Sequence, residues 1–160
     1  MEIRFATEQD AETIAALNEG VQRIHAEAHP HLFRPASPET FSVSYVRQLL
    51  SNPDTRMFMA CEQGEPVGYL YAQVVHRPEA AHRHAWVHLQ LHQMAVAEAH
   101  RRAGCGRALI QAAVGYARAQ GIATVTCEVW SFNAPSRALI SQLGFRPYAE
   151  SFWLDARERD

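Results

Sequence analysis

The chain contains no lysine: its 15 basic residues are all arginine, against 17 acidic ones and a formal net charge of −2. That absence removes the G-x-x-x-x-G-K-[ST] loop of nucleotide hydrolases, which requires a Gly-Lys pair. The near-neutral balance leaves no basic surplus to neutralise a phosphate backbone, so no nucleic-acid partner is expected. Cysteine is scarce. Three cysteines, with no C-x-x-C among them, make neither a disulfide framework nor a thiol redox motif and suit a reducing compartment. No apolar run approaches the roughly 18 residues of a membrane span, so no membrane partner is expected. The amphipathic, acidic start does not have the form of a secretory signal. Repeats and low-complexity linkers are absent. The 160 residues suffice for one core without structural metal. The expectation is a soluble, cytoplasmic protein, monomer or homodimer, with a single domain over 1–160.

What is present reads as a mixed α/β plan. Residues 2–6 form a predicted strand, and Thr7 caps a helix on which Ile14, Leu17, Val21 and Ile24 recur at helical spacing as far as Ala28. Ser37-Pro38 has the N-cap and N1 chemistry of a second helix, with Phe41, Tyr45, Val46, Leu49 and Leu50 facing inward. Strands at 57–61 and 67–75 join through Glu62-Gln-Gly-Glu-Pro66, and His76 to His84 make a polar loop. A long strand at 86–96, a helix at 104–120, a strand at 122–130, a helix at 134–143 and a last strand at 147–154 complete the plan.

Nine histidines raise the question of a metal. His25-Ala-Glu-Ala-His29 sets two imidazoles one helical turn apart, but it is not H-E-x-x-H and no third ligand stands nearby, so no metal site is assigned. His88 and His92 are different. Strand alternation places His88, Gln90 and His92 on one face, and Leu89, Leu91 and Gln93 on the other. Three polar groups in register mark a face that borders water or a ligand cleft.

The most informative segment follows that strand: Arg101-Arg-Ala-Gly-Cys-Gly-Arg107. It places positive charge and unencumbered backbone at a helix N-terminus, where first-turn N–H groups lack acceptors and the macrodipole is positive. Such an end binds a phosphate or pyrophosphate, and glycine lets the anion approach closely. The dinucleotide fingerprint G-x-G-x-x-G is excluded because Leu109 stands where its last glycine belongs. Cys105 is read as a small packing residue, with a nucleophile as the alternative.

An R-x-x-G-x-G loop between a strand and an amphipathic helix is similar to the acetyl-CoA pyrophosphate loop of the GNAT superfamily of N-acetyltransferases. Further on, Val125-Thr-Cys-Glu-Val-Trp-Ser-Phe-Asn133 and the stretch ending Leu143-Gly144-Phe145 resemble the second half of that cofactor site. The resemblance runs from Ile3 to Leu154. It implies a single-domain GNAT-like α/β fold, with a mixed, mostly antiparallel twisted sheet of about six or seven strands flanked by about four helices. It also implies acetyl-CoA as cosubstrate and direct attack by an unknown amine, on a small molecule or a protein, without an acyl-enzyme. On that resemblance Arg101, Arg102, Ala103, Gly104, Cys105, Gly106 and Arg107 hold the pyrophosphate. The main chain of Met94 and Val96, together with Asn133, holds the pantetheine arm. A backbone N–H near Ala95–Val96, where the family's strand bulges, receives the oxyanion. His92 matches the family's base position, with His88 and Gln90 as alternatives. One departure stands out: Ile140 occupies the place of the tyrosine that protonates the departing thiolate. Tyr148 and Tyr116 are substitutes without motif support, so no general acid is assigned. The alternative reading is a catalytically weak acyl-CoA-binding sensor or scaffold. The acceptor pocket is expected from the first two helices, the 29–38 and 76–84 loops and the final strand, with His29, His31, Phe33, Arg34 and Trp153 as lining.

Overall fold

The computed structural model describes residues 1–156; residues 157–160, the end of the expected 1–160 domain, lie outside that description. The chain divides into two compact units, Met1–Glu128 and a second beginning at Val129. In the first unit lie β1 (Glu2–Phe5), α1 (Ala11–Ala28), α2 (Val43–Ser51), β2 (Thr55–Glu62), β3 (Glu65–Arg77), β4 (Trp86–Val96), α3 (Cys105–Ala119) and β5 (Val125–Cys127). The strands lie side by side in chain order; the first three pairs are antiparallel and β4–β5 is parallel. A parallel neighbour cannot be reached by a hairpin, and α3 supplies the crossover. The second unit holds α4 (Ala134–Gln142). Among the described residues no helix is long and apolar enough to cross a membrane.

The sheet has five strands, not six or seven. The expected 122–130 strand shortens to Val125–Cys127, and 147–154 forms no strand. Within its own unit that last segment has no other strand to pair with, and Phe152 and Leu154 are 88 % and 82 % exposed. The segment therefore has neither a ladder nor buried area to hold it as a strand. The second helix starts later than Ser37-Pro38 suggested. Thr40 Oγ1 donates to Ser37 O (2.7 Å) and Thr40 N–H donates to the same carbonyl (3.1 Å), closing a turn there. Ser42 is the cap instead, its Oγ accepting from Tyr45 N–H. The β2–β3 hairpin is tighter than Glu62–Pro66. Glu62 pairs with Glu65 across Gln63 and Gly64, whose φ angles of 53° and 87° are those of a two-residue turn with both residues left-handed. His76 accordingly lies in β3 rather than in a loop.

The register sorts side chains between two faces. Met57, Met59, Tyr69, Tyr71 and Ala95 point toward α1 and α2, where they pack with Ala11, Ile14, Phe41, Val46 and Leu49. Their neighbours along the chain, such as Phe58 and Leu70, which pair with each other, take the opposite face, where α3 lies and Phe58 meets the Tyr116 ring edge-on. Asp10 anchors the entry to α1. It accepts from Thr7 N–H at 2.7 Å and receives both guanidinium nitrogens of Arg4, at 2.8 and 2.7 Å. The paired guanidinium holds the Asp10 carboxyl well below its ordinary range, at about 2. Because the folded pKa is depressed, this stabilisation is present above about pH 4 and is lost as pH falls toward 2. Asp10→Asn should cost about 1–2 kcal/mol at pH 7, after screening at the partly exposed Arg4. Thermal unfolding should show the difference from wild type shrinking as the pH is lowered toward 2.

Gly68, on β3, is fixed by close packing. A Cβ there would stand 2.8 Å from Ala95 O and 3.1 Å from Cys105 Sγ, so β4 or the start of α3 would have to move. Gly68→Ala should therefore destabilise by about 1–3 kcal/mol, measured as a lowered midpoint in urea with unchanged m-value.

Candidate active site

The site begins with one extra residue in β4. Ala72 pairs with Leu91 but Tyr71 pairs with Gln93, so His92 is inserted in the ladder as a β-bulge. The resemblance placed that irregularity near Ala95–Val96; there Tyr69↔Ala95 and Gly68↔Val96 are regular. The bulge also overturns part of the alternation argument. His88 and Gln90 share a face, but past the bulge Gln93 returns to the face of His92 and Tyr71 instead of joining Leu89 and Leu91. Hydrogen bonds hold it there: Asn18 Nδ2 of α1 donates to Tyr69 Oη (2.7 Å) and to Gln93 Oε1 (3.0 Å), and Tyr69 Oη–H donates to Gln93 Oε1 at 3.4 Å. Asn18 and Tyr69 are buried. Burial raises the Tyr69 phenol far above its ordinary range, so it remains a donor. Residues 18, 69 and 93 are too far apart in the chain for any sequence spacing to announce this cluster.

β4 loses its other neighbour at the same place. The β4–β5 pairing ends at Leu91↔Cys127, so from His92 to Val96 β4 has β3 on one side and no strand on the other among the described residues. Ala97 N–H donates to Val67 O on the β3 side, so strand alternation turns the N–H groups of Met94 and Val96 to the open side. Val96 O on that side accepts from Arg101 Nε at 3.2 Å.

Thr40, Phe41, Tyr45, Tyr71, His92 and Gln93 line a cleft of about 620 Å³, within the usual range for small ligands. The expected lining residues His29, His31, Phe33, Arg34 and Trp153 are not among them. The His92 ring stacks on Tyr71 (centroids 4.7 Å apart, planes 21° apart). Burial lowers the His92 pKa, and the nearby negative charge of Glu128 opposes that in part. Burial raises the Tyr71 phenol, as does Tyr45. His88 is buried, stacked on Trp86 at 4.0 Å, with its pKa lowered chiefly by burial and further by Arg77.

Beyond β4, a single 3-10 turn (Glu98–His100) leads into the basic loop. Arg102 has a φ of 66° and Gly104 a φ of 87°. Gly104 caps α3, whose first helical bond is Ala108 N–H to Gly104 O. The N–H groups of Cys105 and Gly106 precede that bond, and a Cβ at Gly104 would meet nothing within 4 Å. The loop thus has the donors and the open approach that an anion requires. Arg102, Ala103 and Gly104 are exposed, whereas Gly106 and Arg107 are half-buried. Arg101 folds back over the end of β4, its Nη2 3.6 Å from where a Cβ would stand on Gly20 of α1. Cys105 is buried beneath Gly68. Burial and then Glu62 raise its pKa, which keeps the thiol protonated and removes the nucleophile alternative.

In the second unit Asn133 is the N-cap of α4, its Oδ1 accepting from Ser136 N–H at 3.2 Å. That leaves its Nδ2 as the atom available to a ligand. Ile140 is half-buried on α4. Of the two tyrosine substitutes, Tyr148 is 73 % exposed. Tyr116 lies on the α3 face of the sheet, away from His92, with its hydroxyl accepting from Arg56 Nε at 2.6 Å. No group of three or more His, Cys, Asp or Glu residues among those described can hold a metal ion; His25 Nδ1 lies against Val21 O instead.

A central sheet whose β4–β5 pairing ends where β4 bulges, with a glycine-capped helix N-terminus just beyond, is an α/β arrangement with a candidate anion site. The model of the Acetyltransferase (GNAT) family matches residues 14–145, and the chain belongs to that family. Among curated relatives, N-acetyltransferase family 8 member 3 of Mus musculus is 28 % identical over 107 residues, 67 % of this chain and 46 % of the relative. The chain thus spans less than half the length of that relative. A mutant of the BH1408 protein from Bacillus halodurans superposes with a TM-score of 0.92 at 23 % identity, over 97 % of this chain and 99 % of that one. The aminoglycoside N-acetyltransferase AAC(6')-Iy in complex with CoA superposes with a TM-score of 0.71 at 16 % identity, over 98 % and 99 %. At these identities the structures speak to the fold alone.

Proposed function

We propose that this protein is an acetyl-CoA-dependent N-acetyltransferase that transfers an acetyl group to a primary amine of a small molecule or protein by direct attack. The observation that carries the reading is the bulge, which sets His92 in the cleft where β4 parts from β5, with the α3 anion site beyond the same strand. Acetyl-CoA, when bound, supplies an activated thioester. On this reading the main-chain groups that Met94 and Val96 turn to the open side engage the pantetheine amides. The N–H groups of Cys105 and Gly106 hold the pyrophosphate, with Arg102, Ala103, Gly104 and Arg107 around them. Arg101, folded onto Val96 O, braces the end of β4. The oxyanion falls to a main-chain N–H at Ala95–Val96.

An alkyl ammonium of pKa about 10.4 is only about one part in a thousand neutral at pH 7, a penalty of roughly 4–5 kcal/mol. His92 accepts the proton the amine must lose, directly or through water. Its lowered pKa keeps the imidazole neutral at pH 7, and Glu128 stabilises the imidazolium once it forms. Gln93, its Oε1 held by Asn18 and Tyr69, fixes the bulge that aims the ring. The departing thiolate, of pKa near 8.5, leaves without an assigned acid. Ile140 favours the second reading, a catalytically weak acyl-CoA-binding sensor or scaffold. Thiol release from acetyl-CoA over a broad panel of primary amines separates the two. Release above background with any amine supports the enzyme; tight CoA binding with no release across the panel supports the sensor.

A further inference from the structure

The cleft holds a side-chain donor whose direction the fold fixes. Gln93 is part of its lining, and the Gln93 Oε1 is taken from behind. Asn18 Nδ2 donates to it at 3.0 Å and Tyr69 Oη–H at 3.4 Å. Asn18 Nδ2 also donates to Tyr69 Oη at 2.7 Å, which commits the phenolic proton to Gln93. Both donors are buried, Asn18 at 2 % exposure and Tyr69 at 0 %. A carboxamide whose oxygen accepts from buried donors turns its NH2 the other way. Among the described residues nothing accepts a hydrogen bond from Gln93 Nε2. Nor is this nitrogen one of the buried side-chain atoms that lack a partner, so it has accessible surface, and the cleft supplies it.

The rest of the lining decides what such a donor is for. Thr40, Phe41, Tyr45, Tyr71 and His92 include no acid and no permanent cation. A carboxylate on the acceptor would lack a counter-charge there, and a second ammonium would lack an anion. Phe41 and Tyr45 meet edge-on at 5.5 Å and Tyr71 stacks on His92, so the walls are aromatic. The main-chain groups assigned to acyl-CoA lie on the open edge of β4. Gln93 instead projects from the sheet face toward α1, on the acceptor's side. We infer that Gln93 is a specificity-determining residue whose Nε2–H donates to an uncharged carbonyl oxygen beside the reacting amine, on an acceptor with an aromatic side group; this rests on the acetyltransferase reading above. An α-amino amide has that arrangement, whether as a free amino-acid amide or as the first residue of a peptide. Asn18 is a positioning residue that acts through Gln93.

The test compares kcat/KM for phenylalaninamide, for phenethylamine, which lacks the carbonyl, and for phenylalanine, which carries a carboxylate. Each value is corrected for the fraction of neutral amine, and the wild type should favour phenylalaninamide. Gln93→Glu keeps an oxygen for Asn18 and Tyr69 but replaces the donor in the cleft with an acceptor. It should lower the phenylalaninamide-to-phenethylamine ratio by about tenfold. Asn18→Asp should do the same from outside the cleft, because the new carboxylate draws Gln93 Nε2 to itself and turns Oε1 outward. A ratio taken within one variant cancels any effect common to all acceptors, so a merely structural role would leave it unmoved. If Asn18→Asp does not fold, Gln93→Glu decides alone. Phenylalanyl-alaninamide separates the two sources: kcat/KM above that of phenylalaninamide supports a peptide terminus, and below it a small amide. An unchanged ratio in the folded variants, or a wild-type preference for phenethylamine or phenylalanine, overturns the assignment and leaves the acetyltransferase reading standing. No turnover by the wild type of these acceptors or of any amine in the wider panel overturns both.

Discussion

His92→Ala should lower kcat/KM by about 10- to 1000-fold while leaving the affinity for acetyl-CoA within about twofold. The stronger signature is in the pH profile. Burial lowers the His92 pKa, so its base form fills at a pH below the ordinary imidazole value of about 6.5. The wild-type profile should then climb through an acidic limb centred below that value, followed at higher pH by the climb from deprotonation of the amine itself. The variant should lose the first limb and keep the second. A variant with the wild-type profile would remove His92 from the base role. His88 would be a poor heir: it is buried against Trp86, and Gln90 carries no titrating group.

Gly104→Val should abolish measurable CoA binding, at least about 100-fold by calorimetry, since the donors at a helix N-terminus work only at contact distance. The geometry gives two reasons. Gly104 holds a φ of 87° with nothing within 4 Å of its missing Cβ, so a side chain would project into the space an anion approaches through. A β-branched residue also resists the left-handed region, at about 1–2 kcal/mol. Gly121 provides the control, because it has a φ of 70° and equally open surroundings at the far end of α3. Gly121→Val should lower Tm to a similar degree and leave CoA binding intact. Equal loss of binding in both variants would mean strain rather than approach is responsible, and the loop would lose its assignment.

The elements legible in the sequence are those defined by local chemistry. The α1 stripe of Ile14, Leu17 and Val21, the glycine-capped α3 and the Asn133 cap of α4 each follow from periodicity or capping over a few residues. Boundaries failed where two local signals competed: Ser37-Pro38 has cap chemistry, yet Thr40 closes a turn there and Ser42 caps the helix. The strand at 147–154 failed differently. A strand is a relation between two segments, and among the described residues its unit supplies no second one.

The candidate site divides along the same line. The basic loop from Arg101 to Arg107 is contiguous, so charge, glycine and helix start could be read together, and the family resemblance with them. The sequence by itself determined the candidate anion site at the start of α3 and the polar character of the strand before it. Only the tertiary structure decided where that strand bulges, that Gln93 joins His92 on the cleft face, and that Asn18 and Tyr69 take up its Oε1. The reason is physical: a single inserted residue reverses every later alternation in β4, and the Gln93 it turns to the cleft face bonds there to Asn18, 75 residues away in the chain.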